Sequence, residues 1–215
     1  MKKQTLLLLI IFFLAINVKK SKAQSTADVF SDNVPITYVG VDFTHARYYG
    51  NGEPFDGNVF TPLAKRINNL IITEYDKYNI EKAVKKEVRL KIDVTDALNE
   101  TVDGNKMLVE KAEEKDDLSE EKVAQIISNY DLKGYEKNGV GMVFVVDLLD
   151  KNAVNASMWV TFFSLSTKKV IFTEQLAGEA GGFGLRNYWA RPFAEVIGSI
   201  KSKEWKKWKS KYGAK

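Results

Sequence analysis

The stretch GEAGGFGLRNYWA, residues 178–190, sets four glycines, an arginine and an asparagine at the start of a helical pattern. Glycines in such a turn can expose successive backbone N–H groups, and a helix N-terminus beside a guanidinium favours an anion. Gly181, Gly182, Gly184, Arg186 and Asn187 are therefore the candidate residues for holding a phosphate or carboxylate. The spacing matches neither the P-loop nor the dinucleotide fingerprint, and no lysine-serine pair follows. The ordinary explanation is a tight strand-to-helix turn that needs positive φ, with Arg186 and Arg191 paired to acids.

His45 is the only histidine, between Asp42 and Arg47. An imidazole there can act as a base or a ligand, but residues three apart on a strand point to opposite faces, which separates His45 from Asp42. A metal site needs several ligands, and nothing local links His45 to Asp147 or Glu174. No G-x-S-x-G elbow occurs and the chain has no cysteine, so no thiol can carry a lipid, a disulfide or a thiolate-bound metal. No catalytic residue, metal or cofactor is expected on these grounds.

The third candidate is the tail KSKEWKKWKSKYGAK, where Trp205, Trp208 and Tyr212 alternate with lysines. Continued as one unbroken helix, these aromatics lie about 100° around the axis from the stripe Trp189, Phe193, Val196, Ile197 and Ile200. Either the helix breaks near 198–203 and the tail folds back, or the tail displays an aromatic-basic patch. Such a patch suits an acidic partner or an anionic membrane surface.

The elements that must position these residues are legible from period and punctuation. ITYVGVDFTHARYYG opens as a strand with Val39, Val41 and Phe43 on one face. A Gly- and Asn-rich loop over 50–58 precedes Thr61-Pro62, which read as an N-cap and a first helical position. Leu63, Ile67, Leu70, Ile71, Tyr75 and Tyr78 then repeat at helical spacing. VRLKIDVT alternates strictly, as a strand near a sheet edge does. The run EEKDDLSEE leads, through Ser119 as cap, into a helix with Val123, Ile126, Ile127 and Tyr130 on one side, its acids suiting the helix dipole. Three strands in VGMVFVVDLL, ASMWVTFFSL and KKVIFTEQLA are joined by short polar connections, an antiparallel meander whose first strand is apolar at both parities and so central. A last helix starts near Arg186 or Asn187. The order β-α-β-α-β-β-β-α describes an α/β (α+β) fold with one mixed sheet flanked by helices.

That order, with YVGVDF first and the hairpin WVTFFSLSTKKVIF last, resembles the α/β domain shared by the TolB amino-terminal region, the curli-secretion proteins and the penicillin-binding-protein activator lipoproteins. Ser164-Leu165-Ser166-Thr167-Lys168-Lys169-Val170 takes the place of their last hairpin turn, without the glycine usual there. The segment GGFGLRNYWA is also similar to one in small exported proteins of Gram-negative bacteria. These resemblances imply export and an accessory role exercised through partners.

Residues 1–23 carry a basic start, an unbroken apolar run from Leu6 to Ile16, and small residues at Ser21 and Ala23. This is the layout of a signal peptide cleaved near Ala23-Gln24; the competing reading is an uncleaved N-terminal anchor. The expected division is a loose, flexible leader over 24–35, one domain over 36–200 and the basic aromatic tail over 201–215. Removing residues 1–23 takes five lysines and no acid from 32 basic residues, leaving 27 against 28 acidic ones, so the basic balance that suggests nucleic acid goes with the leader. The expectation is an exported, periplasmic or secreted protein, not a lipoprotein and not an enzyme, that binds an envelope protein or other envelope component. Peripheral membrane contact through the tail, or a small anionic ligand (less readily a hydrolase substrate) on the 178–187 loop, is the alternative.

Overall fold

A computed structural model describes residues 23–50, 55–113 and 118–213. The expected signal peptide lies outside the described residues except for Ala23, as do parts of the 50–58 loop and of the acidic run before Ser119. One mixed sheet of six strands has the order β3-β1-β4-β5-β6, with β2 also pairing β4. Its strands are β1 (Ile36–Asp42), β2 (Arg47–Tyr49), β3 (Val88–Leu90), β4 (Val140–Asp150), β5 (Asn155–Ser164) and β6 (Val170–Glu179). β1 is parallel to both β3 and β4, and β4-β5-β6 form the antiparallel meander. β4 is central, and its apolar residues are split between the two core clusters on opposite faces of the sheet, as its double-parity pattern requires.

The helices are α1 (Thr26–Phe30), α2 (Gly57–Thr73), α3 (Ile80–Val84), α4 (Asp93–Asn99), α5 (Glu120–Ser128), α6 (Leu185–Ser199) and α7 (Trp205–Tyr212). α2, α3, α6 and α7 share the larger core with one face of the sheet, while α5 covers the other with Val123 and Ile127 against Val143, Val145 and Phe163. Opposite faces are what two right-handed crossovers demand, since β1 to β3 moves one way along the sheet and β3 to β4 moves back.

Several local expectations are corrected. Val39, Val41 and Phe43 do not share a face: the register shifts between Tyr38 and Gly40, so Val39 joins the α5 side while Val41 and Phe43 join the α2 side. A bulge inserts one residue and reverses the parity beyond it. The strand in VRLKIDVT stops at Leu90 and the chain turns helical at Asp93. α2 begins a turn before Thr61-Pro62, because the Asp56 carboxylate accepts from Asn58 N at 2.9 Å and caps it there. The leader over 24–35 is not loose. The Asp28 carboxylate accepts from Ser25 N at 2.7 Å and Ser25 Oγ at 3.0 Å, Val29 is buried, and Phe30 stacks on Phe172 with centroids 5.9 Å apart. In the β5–β6 turn Lys168 takes φ +58°, a left-handed conformation that glycine adopts most readily.

Loss of β3 after Leu90 leaves the outer edge of β1 without a strand partner. Side chains replace it: Thr95 Oγ1 donates to Val39 O at 2.6 Å, Asn68 Oδ1 accepts from Val41 N at 2.9 Å, and Asn99 bonds both Val41 O and Phe43 N at 2.8 and 2.9 Å. All three side chains are buried, and β1 thus keeps its hydrogen bonds where its sequence neighbour has turned away.

Burial also fixes an alkaline limit. Tyr38 and Tyr130 are fully buried; desolvation raises both phenols well above the usual value near 10, helped at Tyr130 by the Asp42 carboxylate that its hydroxyl donates to at 2.7 Å. The unfolded chain loses these protons from about pH 10 while the native chain keeps them. The stability they provide is therefore complete below about pH 10 and falls as pH rises further. Tyr38 has no hydrogen-bond partner for its hydroxyl among the described residues. Tyr38→Phe should accordingly keep stability at pH 7 and flatten the fall above about pH 10, measured as the shift in urea midpoint.

Candidate functional site

The loop between β6 and α6 brings Gly181, Gly182, Gly184, Arg186 and Asn187 together, as the spacing predicts, but its design is to display a side chain. Gly182 and Gly184 have φ of +112° and +80°, and Phe183 between them is 96% exposed. Asn187 Nδ2 donates to Phe183 O at 3.1 Å and Gly181 N donates to Tyr188 O at 3.1 Å, so the turn is pinned at both ends. Gly178 serves packing: a Cβ there would lie 2.2 Å from Pro192 O, where β6 and α6 touch. Arg191 pairs with Glu179 and Glu195, each at 3.3 Å, as the ordinary reading of the loop expects. Arg186 does not; its Nε and Nη2 donate to Asn187 Oδ1 at 3.2 and 3.0 Å, and no carboxylate pairs with it among the described residues.

Sequence reasoning missed what stands beside the loop. α2 contributes Val59, 48% exposed, and Arg66, which also lacks a carboxylate partner among the described residues. With Phe183, Leu185 and Arg186 they line a cleft of about 340 Å³, and a second of about 450 Å³ on the other side of Phe183 is lined in part by Glu74 and Lys77. The result is an apolar tip with Arg66 and Arg186 in one cleft beside it and a mixed set, Glu74, Lys77, Arg191 and Glu195, in the other. The local signal was an aromatic residue between glycines; the α2 half, more than a hundred residues away in the chain, had none.

The helix neither breaks nor folds back but runs on through a π turn, and the expectation that Trp205, Trp208 and Tyr212 form a contact patch is corrected by the burial of the two tryptophans and the half-burial of Tyr212. Residues Ile200–Glu204 form a π turn in which Trp205 N donates to Ile200 O. One extra residue in a turn absorbs about 100° of rotation, which returns the aromatics to the face that α6 already buries. Trp205 and Trp208 are buried, and Tyr212 stacks on Phe172 at 4.5 Å while its hydroxyl donates to Glu174 at 2.6 Å.

His45 is exposed at the end of β1, and Asp42 does not orient it. The Asp42 carboxylate accepts instead from Thr44 N, Thr44 Oγ1 and the Tyr130 hydroxyl. Among the described residues no cluster of three or more histidine and acidic side chains is placed to hold a metal ion, and no helix is long and apolar enough to cross a membrane. Comparison with protein families, with curated protein sequences and with solved structures gives no match to this chain.

Proposed function

We propose that this chain is a non-enzymatic accessory protein of the cell envelope, exported by its N-terminal segment, that acts by binding another envelope protein through the Phe183 tip. The observation that carries this reading is the exposure of Phe183, held out by two positive-φ glycines. A large apolar side chain so displayed gains nothing within the folded monomer, whereas aromatic and arginine anchors dominate contact energetics between proteins. Arg66 and Arg186 beside it give the partner's chemistry: an apolar pocket rimmed by acids. The layout of residues 1–23 supports export, and the resemblance of the strand and helix order to accessory envelope domains supports the role.

The test is cross-linking of the tagged protein in its native cells, wild type beside Phe183→Asp. Phe183 is exposed and makes no ring contact with the core, so the substitution should change thermal stability by less than about 0.5 kcal/mol. A specific cross-linked protein is expected with wild type, and its yield should drop at least tenfold in the variant, as for a central anchor. Equal yields from both proteins would place the contact elsewhere. Co-sedimentation of wild type alone with anionic vesicles would instead assign the tip to lipid.

A further inference from the structure

The pole opposite the Phe183 tip carries a second feature, independent of what the tip binds. Phe183 follows the end of β6 at Glu179, whereas Tyr212 stacks on Phe172 near the start of that strand and bonds Glu174 together with Lys211. α6, the π turn and α7 run as one helical path between the two poles. At about 1.5 Å per residue, Lys206 lies roughly 30 Å along that path from Arg186.

The π turn that buries Trp205 and Trp208 also decides what is left outside. Lys201, Lys203, Lys206, Lys207, Lys209 and Lys211 are all exposed. The one acid among them, Glu204, is buried and held by Lys203 and Lys207 at 3.5 and 3.4 Å, and Lys211 pairs with Glu174 at 2.8 Å. Lys201, Lys206 and Lys209 have no carboxylate partner among the described residues. Helical spacing, widened by the π turn, gathers these three within about a third of the circumference. Neither terminal stretch outside the described residues, 1–22 or 214–215, contains an acidic side chain. On α3, which packs on the π turn, exposed Lys82 and Lys85 extend the basic surface, while Glu81 accepts from the Tyr75 hydroxyl at 2.9 Å and Glu87 pairs with Arg89 at 3.3 Å.

Unpaired like charges on one side of a helix repel one another and give the folded monomer nothing. They suit a negative surface outside it, and the residue type selects which kind. Lysine carries a compact point charge without the planar fork by which arginine grips a single phosphate or a base edge. The indole rings that would stack on bases or enter a bilayer are turned into the core. A diffuse positive face of this sort matches a plane of anionic headgroups. We infer that the lysine face rests on an anionic phospholipid surface, so that the protein held there presents its Phe183 tip at the far end, away from the bilayer. Attachment is by charge alone, and salt screens it over a Debye length of about 10 Å near 0.1 M.

The test is co-sedimentation of the full chain, in the form its native cells accumulate, with vesicles of phosphatidylglycerol and phosphatidylcholine in equal parts and with vesicles of phosphatidylcholine alone. Wild type is expected to partition about tenfold or more in favour of the anionic vesicles and to lose that preference as salt rises from about 0.1 to about 0.5 M. A lysine near such a surface is worth about a fivefold change in partition, so Lys201→Gln, Lys206→Gln and Lys209→Gln together should lower it by on the order of a hundredfold. Thermal unfolding of that triple variant should match wild type, since all three side chains are exposed and unpaired. Equal partition onto both kinds of vesicle, undiminished partition in the triple variant, or its loss in Phe183→Asp overturns the inference; the last result would give lipid to the tip instead. Release of the bound protein by inorganic phosphate at constant ionic strength would also overturn it, by revealing a site for single phosphate groups in place of a surface.

Discussion

Gly40→Ala is expected to destabilise the protein by about 4 kcal/mol or more, enough to threaten the folded state of a domain whose whole stability is of order 5–15 kcal/mol. Two effects combine. Gly40 sits at φ +106°, a conformation that costs a residue with a Cβ about 1–3 kcal/mol. The new methyl would also lie 2.1 Å from Thr95 Oγ1 and 2.6 Å from Asn68 Oδ1, the atoms that satisfy Val39 O and Val41 N. Relieving the clash pulls both side chains off the β1 edge, and each buried group left unpaired costs a further 1–3 kcal/mol or so. Gly198→Ala is the contrast. Nothing lies within 4 Å of a Cβ at that position on α6, so alanine should gain up to about 1 kcal/mol of helix propensity. Urea unfolding of the two variants beside wild type measures both; a Gly40→Ala protein as stable as wild type would mean that the side-chain edge is not what holds β1.

The same residue explains where sequence reading stopped. The period-2 pattern of ITYVGVDF was visible, and so was a strand; the bulge was not, because a pattern of apolar residues buried on both faces looks alike in either parity. A glycine inside such a run was the available signal. The end of β3 at Leu90 was hidden for a related reason. VRLKIDVT alternates well enough for eight residues, and only the buried polar trio Asn68, Thr95 and Asn99, drawn from two helices, shows that the edge of β1 is completed by side chains. By contrast the meander and the central place of β4 followed from composition alone, since short polar turns permit little but hairpins and a doubly apolar strand must be covered twice. At the β6–α6 loop the glycines and Arg186 were legible as a cluster. Its surface was not, because Val59 and Arg66 reach it only through the packing of α2 against α6.

Trp208→Ala should cost about 3–5 kcal/mol, the range for truncating a buried large aromatic, and lower the melting temperature by on the order of 10 °C. The indole is fully buried, meeting Phe162 edge-on with centroids 6.0 Å apart and Phe172 at 5.9 Å. Those rings line β5 and β6, and β6 is the sheet's edge strand, so Trp208 covers a part of the core that α6 ends too early to reach. Neighbouring lysines test the phase of the helix rather than its existence. Lys206 and Lys209 are exposed, and their replacement by alanine should stay within about 0.5 kcal/mol. Without the π turn the rotation would be wrong by about 100°, the tryptophans would face water, and Trp208→Ala would be as mild as the lysine changes. A mild Trp208→Ala would therefore return the tail to the surface and restore it as a candidate contact for the partner. A severe one leaves the Phe183 tip as the fully exposed aromatic among the described residues, the one on which the proposed contact rests.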